Sequence, residues 1–196
     1  MNKLIDETGN RHGRLIAKEY VGDSYLKPKI FRRYLPIYKK AISYLPPVEE
    51  CSTVVDLGCG VGYFAKVFFE MGYLKYIGID FSQNMIEKSK KQVPSATFIL
   101  GDLKNEEIYK IIQKHKIFVI LETLEHIEKD LDVIKNIPKE SLVIFSVPNF
   151  DGKFHVRYFK NADEVIKRFE NFLEFKDIYI NKMKHLEFFL FKSIRK

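Results

Sequence analysis

Apolar and polar positions alternate along this chain in two different rhythms. From residue 53 onward, short β-branched or aromatic runs are separated by longer segments with apolar residues every three or four positions. The runs Thr53–Asp56, Tyr76–Asp80, Ala96–Leu100, Ile117–Leu121 and Leu142–Val147 read as buried strands. Between them, Tyr63–Met71, Met85–Lys91 with Ser82 as its N-cap, Glu106–His115 and Glu128–Asn136 read as helices. Ala162–Phe172 reads as a further helix, followed by strands around Phe175–Ile180 and Leu186–Phe191. Strict β/α alternation predicts an α/β fold, a Rossmann-like, mostly parallel sheet of seven strands with helices on both faces. The last two runs lie too close together for a crossover helix, so they must pair antiparallel, which adds an antiparallel strand at the C-terminal end.

The leading 46 residues follow a different pattern. Residues 1–24 carry a polar, glycine-bearing turn and a short apolar stretch, compatible with a loose hairpin or an ordered arm. Residues 25–46 show helical spacing that Pro36 is expected to break, with Ile37, Ala41, Tyr44 and Leu45 on one face. This segment serves either as a lid over the open end of the sheet or as a packing helix. The division expected is therefore an arm and helix over residues 1–46 and a main domain over 47–196.

Length and charge narrow the function classes. With 196 residues, the chain is long enough for one domain covered on both faces. No apolar run reaches the length of a membrane span, and the first residues lack a secretory h-region. Cys51 and Cys59 flank the first strand, where a disulfide would fight strand geometry. They are expected as reduced thiols of a cytoplasmic protein. A net charge of +7 admits an acidic partner such as RNA, although a lysine-rich solvated surface accounts for it equally well. No obligate protein partner is evident.

The chemistry concentrates at the strand ends. The first strand closes on Asp56 and runs into glycines at alternate positions, Gly58, Gly60 and Gly62, with Cys59 between the first two. Such a turn lets a ligand approach bare backbone. A dinucleotide fingerprint would need glycine where Tyr63 stands. Asp80, Asp102 and Glu122 follow at the ends of the next three strands. Together these features resemble the class I S-adenosylmethionine (SAM) dependent methyltransferases, over roughly residues 53–150.

The resemblance implies a role for each position. Asp80 would clasp the ribose hydroxyls and Asp102 would face the adenine amine. Phe81, Met85 and Leu103 would line the adenine pocket. Asp56 and the Gly58–Gly60 backbone would serve the methionine end, with S-adenosylhomocysteine (SAH) as product.

After the fourth strand comes Glu122-Thr-Leu-Glu125-His126. If helical, it sets two carboxylates and an imidazole on one face, able to hold Mg²⁺ or Mn²⁺. This E-x-x-E-H pattern resembles the ubiquinone-pathway O-methyltransferases and the enzymes that methylate the terminal 2′-hydroxyl of small RNAs. The latter use a further histidine, and His155 after Pro148-Asn149 matches it, while Ile127 stands where their second consecutive histidine would be. Without a metal, His126 or His155 would act as general base. Glu122 and Glu125 would otherwise only complement a helix N-terminus. His155 and Arg157 are expected on the acceptor side. The chain thus reads as a methyltransferase acting on a small-molecule or RNA hydroxyl, with a non-catalytic SAM-binding module as the alternative.

Overall fold

In the computed structural model, which describes residues 27–196, the β-branched runs form one sheet. Strands β1 (Val54–Leu57), β2 (Tyr76–Asp80), β3 (Thr97–Leu100), β4 (Ile117–Leu121) and β5 (Leu142–Pro148) are parallel. The closing strands are β6 (Leu173–Met183) and β7 (Leu186–Arg195). Strand β7 lies between β5 and β6 and runs antiparallel to both, giving the order β3-β2-β1-β4-β5-β7-β6. The reversed strand is thus slotted inside the sheet, and β6 takes the edge.

Among the described residues six helices cover the two faces: α1 (Pro28–Ser43), α2 (Tyr63–Glu70), α3 (Gln83–Gln92), α4 (Glu106–Ile112), α5 (Asp130–Asn136) and α6 (Ala162–Phe169). The period of two along each strand sorts the side chains between two cores. Val54, Tyr76, Val119 and Phe188 meet α1 and α2 through Ile37, Ala41, Phe64 and Phe68. Val55, Ile79, Phe118 and Phe189 meet α4, α5 and α6 through Ile112, Ile134 and Phe169.

Several boundaries differ from expectation. Pro36 lies inside α1, which runs through it unbroken. An interior proline costs about 3 kcal/mol, but full burial of an isoleucine returns about 1.5–3 kcal/mol. Ile37 and Ile42 are both buried here with Ala41, so packing outweighs the lost bond. Helix α5 begins at Asp130, two residues late, because Leu124–His126 closes a separate 3-10 turn ahead of it. Helices α4 and α6 end three residues short of the predicted limits. The closing strands run longer than expected, with a register shift between Phe175 and Asp177. Ser82 caps α3 as predicted, its Oγ accepting from the Met85 amide at 3.4 Å. The predicted arm over residues 1–24 lies outside the described residues.

The chain walks outward from β1 to β3, then returns to place β4 on the other side of β1. This reversal makes the β1/β4 gap the topological switch point, where ligands bind in open α/β sheets. The loops after β1 and β4 meet there: an ideal Cβ on Gly58 would fall 2.3 Å from the Thr123 hydroxyl oxygen. Cys51 and Cys59 are both buried and unbridged. No helix among the described residues is long and apolar enough to cross a membrane.

Candidate active site

A cavity of about 400 Å³ opens at the switch point. One end is built from the turns after β1, β2 and β3. Gly58, Cys59, Gly60, Asp80, Phe81, Met85, Asp102 and Leu103, all named from the sequence, line it. Asp80 is 8 % exposed and ties the turn together. Its Oδ2 accepts from the Gly60 amide and its Oδ1 from the Ser82 amide, each at 2.9 Å. Burial raises the Asp80 carboxyl above its ordinary value, and these two amides hold it down.

The amides of the glycine turn are already committed. Gly58 and Cys59 both donate to the Ile79 carbonyl, at 2.8 and 3.0 Å, and Gly60 donates to Asp80. A phosphate cradle needs such amides pointing at its ligand. This turn instead presents a shaped backbone surface, with the Cys59 and Val61 carbonyls also taken, by the Gly62 amide and Gln92 Nε2. Gly60 itself has φ of +52°, and a Cβ there would meet nothing within 4 Å. Its bare backbone faces open space.

Asp56 and Gly62 stand behind this surface, not among the lining residues. Asp56 is buried, and its Oδ2 accepts from the Tyr76 hydroxyl at 2.5 Å. Burial pushes its carboxyl up to about 7, the Tyr76 hydroxyl opposing and the Asp80 charge adding to it. A Cβ on Gly62 would come within 3.1 Å of Ser89, so this position serves the packing of α2 on α3.

The other end of the cavity is built by the loops after β4 and β5. Glu122, Glu125, His126 and His155 all line it. The expected helical face does not form. Only Leu124–His126 makes a 3-10 turn, and Glu122 precedes it with φ of +52°. Glu122 turns instead to the Ser146 hydroxyl, which donates to it at 2.7 Å. Glu125, His126 and His155 converge, with one ligand atom from each lying within 4.8 Å of the others.

The imidazole tautomers follow from their partners. His126 Nδ1 lies 3.1 Å from the Phe154 carbonyl, and His155 Nδ1 lies 2.9 Å from the Phe150 carbonyl. A carbonyl only accepts, so each neutral ring carries its proton on Nδ1 and its lone pair on Nε2. Burial lowers the His155 pKa, opposed by the Phe150 carbonyl and the Asp151 charge. Glu125 is 1 % exposed, and its Oε2 has no hydrogen-bond partner. Burial drives its carboxyl well up, and the Glu122 charge drives it further. Burial raises the Glu122 carboxyl too, the Ser146 hydroxyl opposing.

Arg157, expected on the acceptor side, points away from the cavity. Its guanidinium donates to the carbonyls of Leu124, Ile127 and Glu128 and pairs with Asp130 at 3.1 Å. The backbone of the turn satisfies this arginine.

The sequence reading offered this helix as a lid but named none of the residues that form the roof. Ile30, Arg33, Tyr34 and Tyr38 of α1 line the cavity, while Ile37 and Ala41 of the same helix pack into the core. The helix is both lid and packing element. Ile30, Tyr34 and Tyr38 stand at i, i+4 and i+8, a stripe beside the apolar face that signalled it. Phe150 and Phe154, also missed, complete the wall near His155.

A methyltransferase-domain family model matches residues 49–187. An uncharacterised protein of Haemophilus influenzae is 31 % identical over 84 residues, which is 40 % of this chain and 33 % of that protein. Malonyl-[acyl-carrier protein] O-methyltransferase of Hamiltonella defensa is 33 % identical over 54 residues, 28 % of this chain and 20 % of that enzyme. The matches span a third or less of these relatives' length. Among solved structures, a Pyrococcus horikoshii protein superposes with a TM-score of 0.70 at 18 % identity, covering 91 % of this chain and 99 % of that one. Magnesium protoporphyrin IX methyltransferase of Synechocystis with bound SAM gives 0.64 at 16 % identity, covering 100 % of both. The N-methyltransferase NodS of Bradyrhizobium japonicum with SAH gives 0.65 at 13 %, covering 91 % and 97 %. At such identities these structures speak for the fold alone. The family match over most of the chain and the fold it shares with these structures agree: this chain belongs to the class I SAM-dependent methyltransferases.

Proposed function

We propose that the protein binds SAM at the Gly60–Asp80 end of the cavity and methylates a hydroxyl oxygen of a small molecule or an RNA held at the His126–His155 end. The observation that carries this reading is the pairing of bare Gly60 backbone, open to the cavity, with the Asp80 carboxylate behind it. The fit to SAM is chemical. SAM has a diol and an amine for carboxylates and no phosphate, and the Gly58, Cys59 and Gly60 amides are already taken. Asp80 and Asp102 would hold the ribose and the adenine amine, among Phe81, Met85 and Leu103. The roof of α1 spans both ends, Ile30 and Tyr38 packing by Val61, Tyr63 and Met85 and Tyr34 lying near Glu122 and Glu125, which favours a small acceptor over an RNA strand.

SAM supplies an electrophilic methyl on a sulfonium, so the protein's work is orientation and removal of one proton. Nε2 of His126 or His155 would take the proton from the acceptor hydroxyl as its oxygen bonds to the methyl carbon. The carbon–sulfur bond breaks, leaving SAH. A positioned base of this kind contributes about 10²–10⁴-fold.

A second reading has its own observation. Glu125 Oε2 is buried without a partner beside two imidazoles that present Nε2. A mixed imidazole and carboxylate set suits Mn²⁺ better than Mg²⁺. With such an ion bound, Glu125, His126 and His155 would hold it and the acceptor hydroxyl would be acidified. The two buried free thiols support residence in the cytoplasm.

The test is transfer from labelled SAM to catechol-like small molecules and to RNA, with Mg²⁺, Mn²⁺ or chelator. Transfer that survives chelation and is lost in the His126→Ala, His155→Ala double variant supports the imidazole base. Transfer abolished by chelator and restored by Mn²⁺ supports the metal. SAM binding without transfer to any acceptor would favour a binding module.

A further inference from the structure

We infer that Arg157, anchored by Asp130, is a positioning residue that holds the His126 turn and the His155 loop together as one unit. The inference rests on the proposed role of these two histidines but on separate contacts. The histidines come from loops after different strands, β4 and β5, which touch beside the rings where His126 Nδ1 meets the Phe154 carbonyl at 3.1 Å. Their rings stand 4.8 Å apart and nearly perpendicular, at 83°.

Arg157 lies two residues beyond His155 in sequence and crosses to the other loop. One terminal nitrogen donates to the carbonyls of Leu124, at 3.0 Å, and Ile127, while the second reaches the Glu128 carbonyl at 2.7 Å. These three carbonyls bracket Glu125 and His126. The charge that these contacts take out of water needs a counter-ion, and Asp130 supplies it. Asp130 is fully buried, with its Oδ2 3.1 Å from Arg157, and Arg168 of α6 donates to both of its oxygens, at 2.7 and 2.6 Å. The contacts use the fork, one terminal nitrogen meeting Leu124, Ile127 and Asp130 and the other Glu128, which a single ammonium does not reproduce. The backbone adds one bond in the same sense, the Val156 amide donating to the Glu125 carbonyl at 2.8 Å. Arg157 therefore acts through the histidines and touches no ligand.

The experiment needs no acceptor. In protein carrying ¹³C-labelled histidine, the nuclear Overhauser cross-peak between the His126 and His155 rings reads their separation, and SAM calorimetry reads the other end of the cavity. Arg157→Gln should cut the cross-peak at least fivefold while the SAM dissociation constant stays within twofold. Arg157→Lys keeps the charge and should restore part of the intensity. An unchanged cross-peak in Arg157→Gln overturns the inference, as does a parallel loss of SAM affinity in both variants. If the glutamine variant does not fold, the lysine variant decides: a full-intensity cross-peak in it refutes the need for the fork, and at least a twofold loss supports it. A parent protein that binds no SAM would count against the proposed function, and the ring cross-peak would still judge the strut.

Discussion

The Asp80 carboxylate and the Gly60 amide, twenty residues apart, meet at 2.9 Å across the mouth of the sheet. This one bond fixes the turn after β1 to the end of β2, on one wall of the cavity. It also uses the amide that a phosphate ligand would need. A structural choice at one hydrogen bond thus separates this site from a dinucleotide site more sharply than the glycine spacing does.

The glycines divide by what stands opposite them. Gly58→Ala would press a methyl into Thr123 at a φ of +86°. Backbone strain and overpacking together should cost about 3 kcal/mol, visible as a clear fall in Tm. Gly60→Ala meets no protein atom, so its cost should be only about 1 kcal/mol. Its damage should appear as lost SAM affinity. Thermal denaturation and calorimetry on both variants check the reversal.

Asp56 gives a pH dependence with a definite sign. Its folded pKa, about 7, lies above the ordinary 3.8. The folded state therefore holds this proton more tightly than the unfolded state. Stability from this group is fully present below about pH 4 and is lost as pH rises towards 7. Asp56→Asn, which still accepts from Tyr76, should abolish that slope and raise stability at pH 8 by up to about 4 kcal/mol. Urea titrations at pH 5 and pH 8 measure it.

A cation at Glu125, His126 and His155 would stabilise the fold by mass action. Mn²⁺ at a hundredfold excess over its dissociation constant should contribute about 2.7 kcal/mol. The resulting rise in Tm should vanish in Glu125→Gln and on adding chelator. A Tm indifferent to Mn²⁺ would leave the imidazole base as the surviving reading.

The strands and the acids at their ends were legible because each depends on local pattern. A run such as Ile117–Leu121 has few other places to go, and an acid after a buried strand stands at a sheet's carboxyl edge wherever the strand lies. Glu122–His126 was not legible in the same way. Its spacing fits a helix, but Ser146 on the neighbouring strand draws Glu122 out of it. Arg157 was misplaced for a similar reason, since its partners, Leu124 to Asp130, lie some thirty residues back and only the fold brings them near. Pro36 argued for a break that burial of Ile37 and Ile42 overrode. Long-range packing decided all three.

The central claim is that the end of the cavity lined by Gly60 and Asp80 binds SAM. Isothermal titration of the protein with SAM, beside the Asp80→Ala variant, tests it most directly. Losing a hydrogen-bonded charge should cost about 1.5–3 kcal/mol, so binding of one SAM per chain should weaken ten- to a hundredfold in the variant. No binding by the parent protein, or equal affinity in both, would contradict the account.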